Sequence, residues 1–272
     1  MTTARDSAPA LIEQLAETWT SIEQLAQQFS ADDWLTGTAC PGWTVADQLS
    51  HLIGTESMLA GHPGPPADEA ADLADHVRND IGRSNEQWVV WHRRADPSQV
   101  LAEFRTITAE RLEQLRSRSD SSWDEPSWTP VGKSTYRRFM QIRVFDSWVH
   151  EQDMRTALGK PGHGDGEAAE QSIDEIERAL GYIVGKRGGA PDGSRITIVL
   201  TGPVHRTMHV AVEGRGQVVE KLGGPADVTL RLSSTTFAGL ACGRADPAAA
   251  VVEIEGDQEL GGQIATHLAF TI

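Results

Sequence analysis

The period of the apolar residues changes once along this chain, near Gly159-Lys-Pro161-Gly162, and that change limits the folds open to it. Before it, apolar side chains recur every three or four positions, as on one face of a helix. After it, short β-branched runs alternate, as on a half-buried strand. Neither a helical bundle nor a sheet array throughout can satisfy both patterns, so two differently built parts are expected.

In the first part, Leu11, Leu15, Trp19, Ile22, Leu25 and Phe29 mark a long amphipathic helix. Cys40-Pro-Gly-Trp43 is turn chemistry. Thr44 then reads as an N-cap, with Asp47 where a capping box prefers Glu. The helix it opens carries Val45, Leu49, Leu52 and Ile53, with His51 on or near the same apolar side. His62-Pro-Gly-Pro-Pro66 ends it. Helical patterns follow over residues 69–94 and 98–118, joined at Asp96-Pro97-Ser98. Ser119 to Ser134, rich in Ser, Pro, Trp and Gly, reads as a loop over the bundle mouth, where Trp123 and Trp128 could line a pocket. A last helix over 135–158 carries Phe139, Ile142, Asp146, Val149, His150 and Met154. Residues 1–160 are therefore expected to form a bundle of up to five helices.

In the second part, Gly-rich punctuation brackets strands expected at Arg195–Leu200, Met208–Val212, Val228–Leu232 and Val251–Ile254. Helices are expected at 167–184, 235–241 and 258–268. That order predicts an α+β domain over 165–272 rather than a parallel βαβ array. The fold class is thus α plus α+β.

A formal net charge of −15 over 272 residues argues against non-specific binding to nucleic acid or to an anionic membrane. No apolar run is long enough to span a bilayer, and the N-terminus lacks the apolar core of a signal peptide. Cys40 and Cys242 are the only cysteines and lie far apart, which gives neither a disulfide framework nor a Cys-x-x-Cys motif. A reducing, cytoplasmic setting is expected. Phosphate loops, Walker motifs and Gly-x-Ser-x-Gly elbows are absent from the sequence.

Asp146 and His150 stand four residues apart, so on a helix they share a face. With His51 from a neighbouring helix they would offer one carboxylate and two imidazoles. Zinc accepts such a set, as do iron, nickel and cobalt. Three protein ligands with an open fourth position suit a catalytic metal. Spacing alone leaves a second reading open, an ordinary hydrogen-bonded helix pair with His51 as another half-buried histidine. Glu151, Asp153 and Arg155 read as a solvated helix end, although Asp153 or Glu151 could orient a ligand. His62, His76, His92 and His163 read as surface or loop residues, and His205 and His209 as solvated strand histidines.

Two stretches carry a resemblance. Cys40-Pro-Gly-Trp-Thr-Val45 leading to His51, and Val144-Phe-Asp-Ser-Trp-Val-His-Glu-Gln-Asp-Met-Arg155, resemble the actinobacterial mycothiol-dependent maleylpyruvate isomerase family. That family belongs to the DinB-like four-helix-bundle metal enzymes. The tail, with Leu230-Arg-Leu-Ser-Ser-Thr-Thr-Phe-Ala-Gly-Leu-Ala-Cys-Gly-Arg244 and Val252-Glu-Ile-Glu-Gly-Asp257, is similar to its C-terminal domain, which is related to sterol-carrier proteins.

The resemblance implies zinc held by His51 and His150, with mycothiol as thiol cosubstrate. Its third ligand is typically a glutamate four residues before the second histidine. Here that place holds Asp146, shorter by one methylene. The implied partners are a low-molecular-weight thiol and a small electrophile, in an S-transferase or a maleylpyruvate-type cis–trans isomerase. Arg244, in its Cys-Gly-Arg turn, would hold a carboxylate of thiol or substrate, or else is a surface arginine. The rival reading is a non-catalytic ligand-, lipid-binding or regulatory protein on the same two domains. Monomer and homodimer are both compatible with the sequence.

Overall fold

A computed structural model describes residues 4–67 and 76–271, and the chain divides into two compact units, Met1–Gly162 and His163–Ile272. The first is helical and the second α+β, in the order expected from the change of period.

The first unit begins with α1 (Ala8–Ala26), which Ser7 caps and which buries Leu11, Leu15, Trp19, Ile22 and Leu25. Each such side chain contributes on the order of 1.5–3 kcal/mol by leaving water. A one-turn helix α2 (Ala31–Leu35) follows. Next comes α3 (Val45–Ala60), opened by a reciprocal capping box between Thr44 and Asp47 and closed by Gly61 at φ 87°. A left-handed residue of this kind stops a helix with no Cβ penalty.

The helix expected over 69–94 is present as α4 (Asp80–His92), and its first residues fall outside the described part of the chain. Its Trp88 seats directly on Gly54 of α3, where any side chain would collide with the indole. α5 (Pro97–Ser117) starts on an Asp96 cap with Pro97 in its first turn. α6 (Tyr136–Ala157) completes the bundle. α1, α3, α5 and α6 pack on one another, and α4 leans on α3.

The loop expected over 119–134 is instead a short 3₁₀ turn and a hairpin, β1 (Pro126–Thr129) with β2 (Gly132–Thr135). Gly132, at φ 102°, and the Thr129 hydroxyl bonding its carbonyl close the turn. Trp123 is buried edge-to-face on Tyr136, whereas Trp128 is exposed on the hairpin.

In the second unit, α7 (Gly166–Tyr182) runs into a π-turn and lies over a five-stranded sheet. The strands are β3 (Arg195–Thr201), β4 (Arg206–Glu213), β5 (Arg215–Val219), β6 (Val228–Ser233) and β7 (Glu253–Gly256). Their order is β5-β4-β3-β6-β7, and every pair is antiparallel except β3 with β6. Alternate residues Ile196, Ile198, Leu200, Val228, Leu230 and Leu232 are buried on one face. α8 (Ser234–Ala241) and α9 (Gln258–Thr266) complete the unit.

β5 was not among the expected strands, because glycine is a weak strand former. Gly216 is there for closeness: a Cβ on it would collide with the backbone of Gly181 in α7. The last strand lies two residues beyond the expected Val251–Ile254, where Gly256 ends it against Asp227.

Candidate metal centre

Two helices supply the candidate ligands. His51 lies in the second turn of α3, and Asp146 and His150 stand one turn apart on α6. The α3 and α6 faces meet, and the three side chains converge. His51 Nε2 is 3.2 Å from Asp146 Oδ2, and His150 Nε2 is 3.7 Å from Asp146 Oδ1. Within the group, all ligand atoms lie within 4.8 Å of one another. Zinc bonds of about 2.0–2.2 Å at tetrahedral angles would separate two ligand atoms by about 3.3–3.5 Å. The donors therefore already stand near the spacing one ion requires, and the shorter Asp146 reaches the focus.

The two imidazoles are almost wholly enclosed, whereas the Asp146 side chain keeps 27% exposure, so Asp146 is the least enclosed of the three. Trp43 stands against both imidazoles, its ring centre 5.4 Å from that of His51 and 6.0 Å from that of His150. The indole is itself held by a 2.8 Å bond from Nε1 to buried Glu86.

Electrostatics favour an ionised carboxylate. Burial alone would raise Asp146, but Arg143, His51 and His150 hold it well below the usual carboxylate range. Burial pushes His51 down, only partly offset by Asp146. For His150 burial acts in the same sense, yet the Asp146 carboxylate, with Asp153 and Cys40 beside the ring, outweighs it and carries the ring well above its ordinary value.

Apart from Asp153, already a candidate to orient a ligand, the surrounding residues had no sequence signal beyond proximity. Arg143, one turn before Asp146, donates from Nη1 to Asp146 Oδ2 at 2.6 Å and from Nε to Glu56 at 2.9 Å. The other Glu56 oxygen accepts from Arg111 at 3.0 Å. His150 Nδ1 lies 2.5 Å from Gln48 Oε1 and 3.5 Å from Asp153 Oδ2, and the Cys40 thiol donates to Asp153 at 3.3 Å.

Several expectations need correction. Asp153 and Glu151 are buried, not a solvated helix end. Asp153 faces His150, while Glu151 turns away to Ser21 and Arg155. His92 is buried against Glu103, because its helix α4 packs inward there. Cys40, which no Cys-x-x-Cys motif marks, stands with Asp153 beside His150.

Comparison with known proteins gives this geometry a context. Residues 4–155 match the family described as "Mycothiol maleylpyruvate isomerase N-terminal domain", and residues 170–263 match "MDMPI C-terminal domain". The chain belongs to the mycothiol maleylpyruvate isomerase family. Two uncharacterized Mycobacterium tuberculosis proteins, MT0041 and Rv0036c, are 24% identical to it over 157 residues. That match spans 57% of this chain and 58% of theirs, less than two thirds of their length. Among solved structures, a mycothiol-dependent maleylpyruvate isomerase superposes at TM-score 0.62 with 14% identity, covering 94% of this chain and 96% of that one. A mutant of that isomerase gives 0.60 at the same identity, with 93% and 96% covered. At this identity the likeness is one of fold.

The family's two parts correspond to the helical and α+β units seen here. Arg244 belongs to the second, just after α8, where its Nη1 donates to the Cys242 carbonyl at 3.0 Å. Among the described residues, no helix is long and apolar enough to cross a membrane.

Proposed function

We propose that this chain is a divalent-metal enzyme that uses mycothiol to attack a small electrophile, either transferring the thiol or isomerising a maleylpyruvate-like double bond. The observation that carries the reading is the convergence of His51 Nε2, Asp146 and His150 Nε2, in a chain of this family. In this reading those three side chains hold the ion, with zinc the first choice for a donor set of two nitrogens and one oxygen, and nickel or iron as alternatives. A bound divalent ion would lower the pKa of a thiol beside it and so supply thiolate, the nucleophilic form, at neutral pH.

The chain's own residues do the rest. Arg143 takes one oxygen of Asp146 and fixes the carboxylate's orientation. Trp43 closes one wall and keeps water from the imidazoles. No protein nucleophile is required, because sulfur comes from the cosubstrate. In either chemistry a carbon–sulfur bond forms on an activated carbon. Expulsion of a leaving group then gives a conjugate, and rotation followed by loss of the thiol gives the isomer. Arg244 is assigned to hold a carboxylate of thiol or substrate. The helical unit is read as DinB-like over 1–160, the second as sterol-carrier-like over 165–272, and the setting as the cytoplasm.

Elemental analysis of the purified chain beside His150→Ala tests this. Near-stoichiometric metal that falls away in the variant, with thiol-dependent turnover of maleylpyruvate or a model electrophile, is the expected result. A wild-type chain that neither carries nor takes up metal would turn the assignment to a binding or regulatory protein.

A further inference from the structure

Gln48 lies one turn before His51 on α3, fully buried, with its amide between Thr38 and His150. Which end of that amide faces which neighbour follows from counting protons. A threonine hydroxyl has one proton to give and two lone pairs. Thr38 Oγ1 gives its proton to the Trp43 carbonyl at 3.0 Å and accepts the Cys40 backbone N–H at 3.2 Å. One lone pair is left, and it faces Gln48 at 2.7 Å, so the near end of the amide is its NH₂. The far end, Oε1, then faces His150 Nδ1 at 2.5 Å. A second acceptor, Asp153 Oδ2, stands 3.5 Å from the same nitrogen.

We infer that Thr38 and Gln48 act as positioning residues that fix His150 as its Nδ1–H tautomer, leaving the lone pair on Nε2, the nitrogen facing Asp146 and His51. Nδ1 faces two acceptors, the nearer at 2.5 Å, whereas the carboxylate oxygen facing Nε2 stands 3.7 Å away, so the single proton of a neutral imidazole sits on Nδ1. The effect of this tautomer on metal affinity rests on the proposed metal centre, but the tautomer itself does not. Partners on the outer nitrogen of a ligating histidine commonly account for about 10–100-fold in metal affinity.

The experiment has two arms. In the first, ¹⁵N-resolved NMR of the metal-free chain, at a pH high enough for His150 to be neutral, reads the tautomer directly. The wild type is expected as Nδ1–H, with Thr38→Val and Gln48→Leu shifting it toward a mixture and Thr38→Ser restoring it. An Nε2–H wild type, or a tautomer indifferent to both variants, overturns the inference.

In the second arm, Co²⁺ is titrated against a chromophoric chelator. Gln48→Leu is expected to weaken binding about 10–100-fold, whereas Gln48→Glu, which keeps an acceptor on Nδ1, binds within a few-fold of wild type. Equal affinity in folded Gln48→Leu overturns the link to the metal. A wild type that takes up no Co²⁺ overturns the metal centre instead, and the first arm still decides the tautomer. Thr38 is half-buried, so Thr38→Val remains informative if Gln48→Leu fails to fold.

Discussion

Arg143 holds Asp146 with one nitrogen and Glu56 with another, at 2.6 and 2.9 Å, so the carboxylate at the candidate centre is tied to an ion pair inside the bundle. Arg111 continues the series on the far side of Glu56 at 3.0 Å. Charges alternate along it from α5 through α3 to α6. Glu56, Arg111 and Arg143 each expose 3% or less of their side chains, so little water screens them.

Removing the middle member should therefore be costly. Glu56→Gln leaves two enclosed guanidinium groups without their shared counter-charge, and a loss of about 3–5 kcal/mol in unfolding free energy is expected. Thermal and urea unfolding read it directly. A midpoint unchanged from wild type would show that the ladder has no role in stability.

Asp146 allows a test of reach. Asp146→Ala removes the carboxylate and is expected to weaken Zn²⁺ binding at least about 10-fold, measured by chelator competition. Asp146→Glu restores the carboxylate with one more methylene. Because the shorter side chain already meets both histidines, the longer one should bind no more tightly than wild type. Tighter binding would mean that the aspartate is too short after all.

Acid should loosen the second unit at one identifiable point. Asp227 accepts from the Arg195 side chain and backbone N–H, bonds that hold its carboxyl below the usual 3.8 against slight desolvation. A depressed carboxylate stabilises the fold above its unfolded pKa, and that contribution disappears as pH falls through the folded value. Wild type should thus exceed Asp227→Asn in stability near neutrality, by less than about 1 kcal/mol for so exposed a pair. The two melting curves should converge below pH of about 4. A gap that persists in acid would assign the effect to packing.

Gly216 tests the approach of helix to sheet. Gly216→Val places side-chain atoms where Gly181 of α7 runs, so α7 must lift from β5. Hydrogen exchange should accelerate in β5 and α7, with β6 and β7 little changed. Uniform protection across the unit would rule out this local mechanism.

Local chemistry was legible in the sequence, and contacts made at a distance were not. The Thr44–Asp47 capping box, the Asp96–Pro97 start of α5 and the buried alternation of β3 and β6 depend on neighbouring residues alone. The shared face of Asp146 and His150 follows from their spacing. That His51 meets them depends on how α3 and α6 pack, which spacing leaves open. Gln48 and Thr38 carry no motif, because their role is a hydrogen-bond count across 10 positions and then 102. Arg111, Glu56 and Arg143 would be placed at the surface by composition alone. The β1–β2 hairpin was hidden by Pro126 and Gly132, residues that usually signal loops.

All the donors of the candidate centre stand on α3 and α6, and those helices are already clamped together by Glu56 and Arg143. An ion bound there would therefore not be what assembles them. A zinc finger folds around its metal, whereas loading of the proposed centre would be an encounter with side chains already brought together. Occupancy would then follow the free-metal level of the surroundings, and chelated protein should wait, folded, to be refilled.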